Sequence, residues 1–132
     1  MVHTNEDLEG FLNRLERSFE RLAYDTYVVR MAAGQPLVAL RLAPPLLVVR
    51  VDIGIVPHEG PSTTALYRRL LELNATSLVH SAFGLEGDRV VLAASLELES
   101  VDLNEIEAVL SDFDLALAEH VPTLHDIVQS KA

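Results

Sequence analysis

The stretch Leu66–Leu98, LYRRLLELNATSLVHSAFGLEGDRVVLAASLEL, decides the fold. Its first part predicts a short amphipathic helix that ends at Asn74, because three leucines recur at the helical period: Leu66, Leu70 and Leu73. Short apolar runs follow on both sides of a tight turn at Glu86-Gly87-Asp88, as a β-hairpin requires. The stretch therefore predicts a helix, a strand, a turn and a second strand.

The chain before this stretch is predicted to form one helix and three strands. Thr4 is the expected cap of the helix, and an apolar stripe continues it for about five turns: Leu8, Phe11, Leu12, Leu15, Phe19 and Leu22. The strands are predicted at residues 27–31, 37–42 and 46–56. Because their connections are short, an antiparallel meander is the economical topology.

The chain after the stretch is predicted to form one last helix. Asp102 caps this helix and Glu105 completes a capping box. Its apolar seam repeats at spacings of three and four residues: Leu103, Ile106, Leu110, Phe113, Leu117, His120 and Leu124. Pro122 lacks an amide hydrogen, so the helix is expected to end or bend near His120.

Together these elements predict an α+β fold in the order α-β-β-β-α-β-β-α, as a single domain over residues 1–132. The second helix is expected to be capped by Ser62 or Thr63. An antiparallel twisted sheet of about five strands is expected to be flanked by the helices. The first and last helices should bury one stripe each against it: Phe11, Leu15 and Phe19, and Leu103, Leu110 and Leu117.

Composition argues against several classes of function. The chain has no cysteine, which removes disulfides, thiolate nucleophiles and cysteine-based zinc sites. The net charge is −10, and the segment from Val90 to Ser130 carries nine acidic residues and no Lys or Arg. Such a surface repels nucleic-acid phosphates and anionic membranes. No signal peptide and no bilayer-spanning run is visible, so a cytoplasmic protein is expected.

The sequence shows no motif for catalysis, and no catalytic residue, cofactor or metal ligand is assigned. His120 and His125 are five residues apart, whereas a metal-binding pair on a helix needs three or four. A small acid–base or metal-dependent enzyme using His58, His80 or Asp52 remains the least favoured alternative, and the role of the histidines stays open.

Three groups of residues carry a resemblance to a known family. They are the Leu-Leu-x-Leu-Asn run ending at Asn74, then Phe83-Gly84-Leu85, and then Arg89-Val90-Val91-Leu92. This order resembles the type III secretion chaperone-like superfamily, which includes the Tir-chaperone group and the YbjN-like proteins. The resemblance implies a non-enzymatic protein that forms a homodimer and holds a partner polypeptide in an extended state. A YbjN-like regulatory or sensory protein, unrelated to secretion, is the alternative.

The second helix is the predicted dimer interface. Tyr67 and Leu71 make it apolar beyond its leucine face, and the excess is expected to meet a second copy of the chain. The resemblance implies the same helix and the strand after it. The predicted interface residues are Leu66, Tyr67, Leu70, Leu73 and Val79.

Arginines recur in the three consecutive strands of the first half. They are expected to line up across one face of the sheet as an electropositive band in an acidic protein. The predicted partner-binding residues are Val28, Arg30, Arg41, Val48 and Arg50. Three separate, solvated arginines are the alternative. Asp52 is expected to form an ion pair with Arg50, which lies on the same face of its strand.

Overall fold

The computed structural model describes residues 2–57 and 59–129, so the predicted role of His58 lies outside the described residues. The helices are α1 (Asn5–Arg14), α2 (Pro61–Thr76), α3 (Leu103–Leu115) and α4 (Val121–Gln129). The strands are β1 (Phe19–Ala23), β2 (Thr26–Val29), β3 (Val38–Ala43), β4 (Leu46–Ile55), β5 (Ala82–Glu86) and β6 (Arg89–Glu97). All six form one antiparallel sheet in the order β1-β2-β3-β4-β6-β5, which confirms the predicted α+β class.

One face of the sheet carries the core, as the alternating strands require. Its inward residues are fully buried, among them Tyr27, Val29, Leu40, Val49 and Leu92. All four helices contribute to the same apolar cluster, through residues such as Leu12, Leu73, Phe113 and Leu124. The opposite face of the strands therefore points away from the helices. We call it the open face and define it by Val28, Ala39, Arg41, Val48, Arg50 and Ala93.

The predicted first helix is too long, and the sheet has one strand more than expected. Helix α1 stops at Arg14, and Glu16 adopts a left-handed φ of 58°, which takes the chain out of the helix. Phe19 then begins strand β1, where its ring meets Tyr27 edge-on at 6.0 Å between centroids. The expected burial of Phe11, Leu15 and Phe19 is partial, because Leu8 and Leu12 are the buried residues of α1.

The boundaries of α2 also differ from the prediction. The helix begins at Pro61 with Gly60 at its N-cap, rather than with Ser62 or Thr63. Proline is well suited to the first helical turn, where its missing N–H would have no intrahelical partner. The helix runs past Asn74 to Thr76 and a connection precedes β5, so Val79 and His80 lie in that connection and not in a strand.

The last helix has the predicted start and a more complex end. Asp102 and Glu105 form the capping box, with 2.8 Å between the Glu105 N–H and the Asp102 carboxylate. A π-helical turn, Ala116–His120, interrupts the α-helical hydrogen bonding just before Pro122, and α4 then continues to Gln129. On the predicted stripe, Leu110 and Leu117 are buried and Leu103 is half-buried.

The hydroxyl of Tyr27 joins α1 to the sheet. It donates a hydrogen bond to the Glu9 carboxylate at 2.6 Å, while its ring is fully buried. Burial, and secondarily this bond to an anion, raises the pKa of Tyr27 to about 12. An unfolded tyrosine has a pKa of about 10. The stability from this group is therefore complete below about pH 10 and is lost as the pH rises through about 12.

Tyr27→Phe should therefore change how stability depends on alkaline pH. At pH 8 the variant is expected to be less stable by about 1 kcal/mol, because a hydrogen bond is lost. Between pH 10 and 12 the wild type should lose more stability than the variant. The melting temperatures of the two proteins, plotted against pH, should therefore converge. Tyr24→Phe, at a ring 83% exposed, is the control. The melting temperatures are measured by circular dichroism. A constant difference between the wild type and Tyr27→Phe from pH 8 to pH 12 would contradict this expectation.

Candidate functional site

The three arginines predicted to form a band do not line up, and Arg30 lies just past the end of β2 rather than within a strand. Arg50 stands in the same row as Ala39 and Val28, according to the pairing of β2, β3 and β4. Arg30 follows Val28 by two residues, and Arg41 lies two residues from Ala39 in the opposite direction along the strands. Arg30 and Arg41 are thus offset by roughly 13 Å along the sheet. They form separate positive points rather than a continuous band.

Two of these three arginines are neutralised within the chain. Arg41 bonds Asp25 at 3.3 Å, and Arg50 bonds Glu86 at 2.6 Å. The Arg50 hydrogen bond holds the pKa of the Glu86 carboxyl below its usual value. Within residues 2–57 and 59–129, no ion pair involves Arg30. Of these three arginines, Arg30 is therefore the one whose charge is available to a partner.

Asp52 forms an ion pair, but with a different partner from the one predicted. Its carboxylate bonds the Nε of Arg89 on the neighbouring strand β6, rather than Arg50 on its own strand. The two cross-strand pairs, Arg50–Glu86 and Asp52–Arg89, tie β4 to the β5–β6 hairpin. At this end of the open face the charged side chains therefore pair with one another.

Arg30 borders a shallow cleft at the other end of the open face. The cleft has a volume of 230 Å³ and is lined by Ser18, Phe19, Glu20, Val28, Arg30 and Leu37. Strand β1, which supplies part of this lining, is an edge of the sheet. Leu37 is exposed and Val28 is half-buried, so apolar surface flanks the guanidinium. This combination suits an apolar segment that carries a carboxylate.

A second surface lies where α2 crosses the edge strand β5. It is a groove of 380 Å³, and its lining is almost entirely apolar. Tyr67, Leu71 and Leu85 are exposed on it, and we call these three residues the apolar edge surface. Large exposed apolar side chains that cluster in this way are typical of protein–protein contact sites.

Only part of the predicted dimer interface lies on this surface. Leu66, Leu70 and Leu73 are buried in the core of the single chain, because the leucine face of α2 packs on its own sheet. Tyr67 remains exposed on the apolar edge surface, and Val79 is 78% exposed in the connection that follows α2. Leu71, whose apolar excess was also expected to meet a second copy of the chain, is exposed in the same region. Leu85 is exposed there too and was not predicted.

The histidines that the structure describes do not form a metal site. In the described part of the chain, no group of three His, Asp or Glu side chains is placed to hold a metal ion. His80 and His125 are exposed, while His120 is half-buried in the π-helical turn and its buried Nε2 has no hydrogen-bond partner there. Among the described helices, none has the length and apolar character needed to cross a bilayer.

Sequence reasoning missed two polar residues that fix the edge of β5. The Asn74 side chain exchanges two hydrogen bonds with the backbone of Phe83, at 2.8 and 3.0 Å. The buried Asp112 carboxylate accepts bonds from the Ser81 hydroxyl, at 2.5 Å, and from the His80 N–H, at 3.2 Å. The available signal for Asp112 was its position next to Phe113, which lies in the apolar seam of the last helix. A carboxylate so close to the core needs hydrogen-bond partners.

Solved structures with the same fold include proteins of type III secretion. A chain of the heterodimeric ExoU–SpcU complex of Pseudomonas aeruginosa superposes with a TM-score of 0.69 at 18% identity, covering 92% of this chain and 98% of that one. The Yersinia pestis chaperone SycH, solved with a stable fragment of YscM2, gives 0.59 at 21% identity, with 89% and 95% covered. YbjN from E. coli gives 0.60 at 17% identity, with 91% and 96% covered.

A comparison with curated proteins gives no match. Comparison with protein families gives a match to CesT_Tir_1, a type III chaperone family, over residues 1–130. The match spans the helices and strands of the sheet described above. The chain therefore belongs to the CesT_Tir_1 family of type III secretion chaperones.

Proposed function

We propose that this protein is a cytoplasmic chaperone that binds another polypeptide and keeps a segment of it extended along its surface. The match to a chaperone family over nearly the whole chain carries the proposal. The ExoU–SpcU and SycH–YscM2 structures support it, because in each of them a chain with this fold is in complex with another polypeptide. A non-enzymatic role accords with this family.

The open face is the proposed client site, centred on Arg30 and Val28. Arg30 supplies a charge that forms no ion pair within the described residues, and Val28 and Leu37 supply apolar area next to it. Val48, Arg41 and Arg50 lie further along the face, and the two arginines already hold carboxylates. Charge at Arg30 would thus orient the client, while apolar contacts supply most of the affinity.

The apolar edge surface is the proposed dimer interface. Tyr67, Leu71 and Leu85 expose apolar area at one sheet edge, on the side of the chain away from the Arg30 cleft. Pairing the same surface of two chains around a two-fold axis would remove all of it from water. The two surfaces would then have separate functions. The apolar edge surface at β5 would form the dimer, and the open face toward β1 would bind the client.

A YbjN-like regulatory role is the second candidate. The TM-scores to YbjN and to SycH are nearly equal, 0.60 and 0.59, so the fold suits either role. The two roles differ in what accompanies the protein in its native host. A chaperone is expected to co-purify with a client in fixed stoichiometry, whereas a regulator without a client is not.

Arg30→Glu should weaken client binding without affecting the fold. Loss of an exposed ion pair costs about 0.2–1 kcal/mol, which is roughly a 1.4- to fivefold loss of affinity for the client co-purified from the native host, and the reversed charge of Arg30→Glu should lower the affinity further. The dependence of affinity on salt should also become shallower. Fluorescence anisotropy with the labelled client measures both quantities.

Arg14→Glu is the matched control, because Arg14 lies on α1 and, like Arg30, takes part in no ion pair within the described residues. It should leave both affinity and salt dependence unchanged. Equal client affinity for Arg30→Glu and the wild type would show that the client binds elsewhere. A melting temperature lowered by many degrees would instead indicate a structural role for Arg30.

A further inference from the structure

Strand β5 is an edge of the sheet, and its unpaired side is partly covered by a side chain. The Phe83 N–H donates to the Asn74 Oδ1 at 2.8 Å, and the Phe83 carbonyl accepts from the Asn74 Nδ2 at 3.0 Å. These are the two bonds that a neighbouring antiparallel strand would make with one residue. The Asn74 amide therefore replaces a strand at this position.

The register of the hairpin shows how much of the edge remains. In an antiparallel ladder, the backbone groups of successive residues point alternately toward and away from the partner strand. Since the groups of Phe83 point away from β6, those of Ala82, Gly84 and Glu86 point toward it, and those of Leu85 point away. Strand β5 thus has two outward positions, Phe83 and Leu85, and Asn74 closes the first.

The edge is also fixed where the chain leads into β5. The Asp112 carboxylate holds the His80 N–H and the Ser81 hydroxyl, at 3.2 and 2.5 Å. At the other end, Gly87 adopts a left-handed φ of 60° in the turn that leads to β6. Leu85 is left as a single open position between the closed residue and the turn. One position cannot support the run of bonds that strand addition requires.

We infer that Asn74 is a specificity-determining residue that closes the β5 edge to partner strands. Any protein that meets this edge, including a second copy of the chain, must then bind through side chains such as Tyr67, Leu71 and Leu85. The inference follows from the hydrogen bonds of the single chain and does not rest on the proposed chaperone function. It also gives the edge a means to avoid the open-ended strand pairing that produces aggregates.

Amide hydrogen exchange of Phe83 tests the hydrogen bond first. In the wild type the Phe83 amide should exchange at least tenfold more slowly than in Asn74→Ala. Asn74→Asp should keep the protection of the Phe83 amide, because the carboxylate still accepts a hydrogen bond from the Phe83 N–H. The second hydrogen bond is lost, because the carboxylate has no N–H to donate to the Phe83 carbonyl. Exchange of the wild-type Phe83 amide at the rate of an unstructured peptide would overturn the inference without any variant.

Strand capture tests the consequence. The probe is a labelled synthetic peptide of residues 80–88, HSAFGLEGD, which contains β5. It should bind Asn74→Ala at least tenfold more tightly than the wild type in fluorescence anisotropy. Thr76→Ala is the matched control, because it removes a side-chain hydrogen bond from the end of the same helix and leaves Asn74 on Phe83. Equal peptide binding by the wild type and a folded Asn74→Ala would refute the closing role, as would equal gains for both variants.

Discussion

Leu71→Asp is expected to convert the proposed dimer to a 14.5 kDa monomer at low micromolar concentration. Leu71 is 69% exposed in the single chain and lines the apolar edge surface together with Tyr67 and Leu85. Losing a buried leucine contact costs about 1.5–3 kcal/mol, and an unpaired carboxylate in an apolar interface costs more. The dimer dissociation constant should therefore rise by at least about a hundredfold.

The design separates assembly from folding. Because Leu71 is exposed in the monomer, the far-ultraviolet circular dichroism spectrum of Leu71→Asp should match that of the wild type. Ala65→Asp places the same charge at an exposed position on the other flank of α2 and should remain dimeric. Leu70→Asp would not serve, since Leu70 is 5% exposed and its replacement would unfold the core. A wild type that sediments as a monomer would refute the proposed dimer.

Phe113→Ala is expected to have the largest effect on the stability of the single chain. Phe113 is fully buried on α3, in the cluster that joins the helices to the sheet. Truncating a buried phenylalanine costs about 3–5 kcal/mol, through lost apolar burial and the cavity that remains. The melting temperature should fall on the order of 10 °C or more.

Phe11→Ala is the matched comparison, since the same change is made at a residue that is only half-buried on α1. Its destabilisation, measured by urea denaturation, should be clearly smaller than that of Phe113→Ala. Equal losses would mean that α1 buries its phenylalanine as deeply as α3 does. That result would contradict the half-buried position of Phe11 in the structure.

Elements whose apolar residues follow a single helical or strand period were predicted correctly. The junction between α1 and β1, where a helical period gives way to a strand period, was not. Strand β4 alternates half-buried and buried residues from Leu46 to Val51, and the capping box of Asp102 and Glu105 marks the start of α3. Phe19 and Leu22 extend the spacing of the α1 stripe, and this spacing alone gave no sign that the helix had ended. The left-handed Glu16 ends the helix, and no glycine marks the place.

The candidate site was harder to predict because it depends on pairing between strands. Arg50 and Asp52 are neighbours on one strand face, yet each bonds a residue more than thirty positions away, Glu86 and Arg89. Those partners follow from the placement of β6 beside β4 and the bulge between Asp52 and Gly54. A sequence period shows that a face is apolar, but it does not show whether the face covers its own core or a partner.

The composition of the complex isolated from the native host tests polypeptide binding most directly. Native mass spectrometry of the tagged protein should show two 14.5 kDa chains with one client polypeptide. The bound client segment should resist protease while its amides exchange as those of an extended chain. With Arg30→Glu in place of the wild type, the client peak should decrease and the dimer should remain. A wild-type spectrum that contains the dimer or monomer alone, with no client at any protein concentration, would contradict the chaperone function.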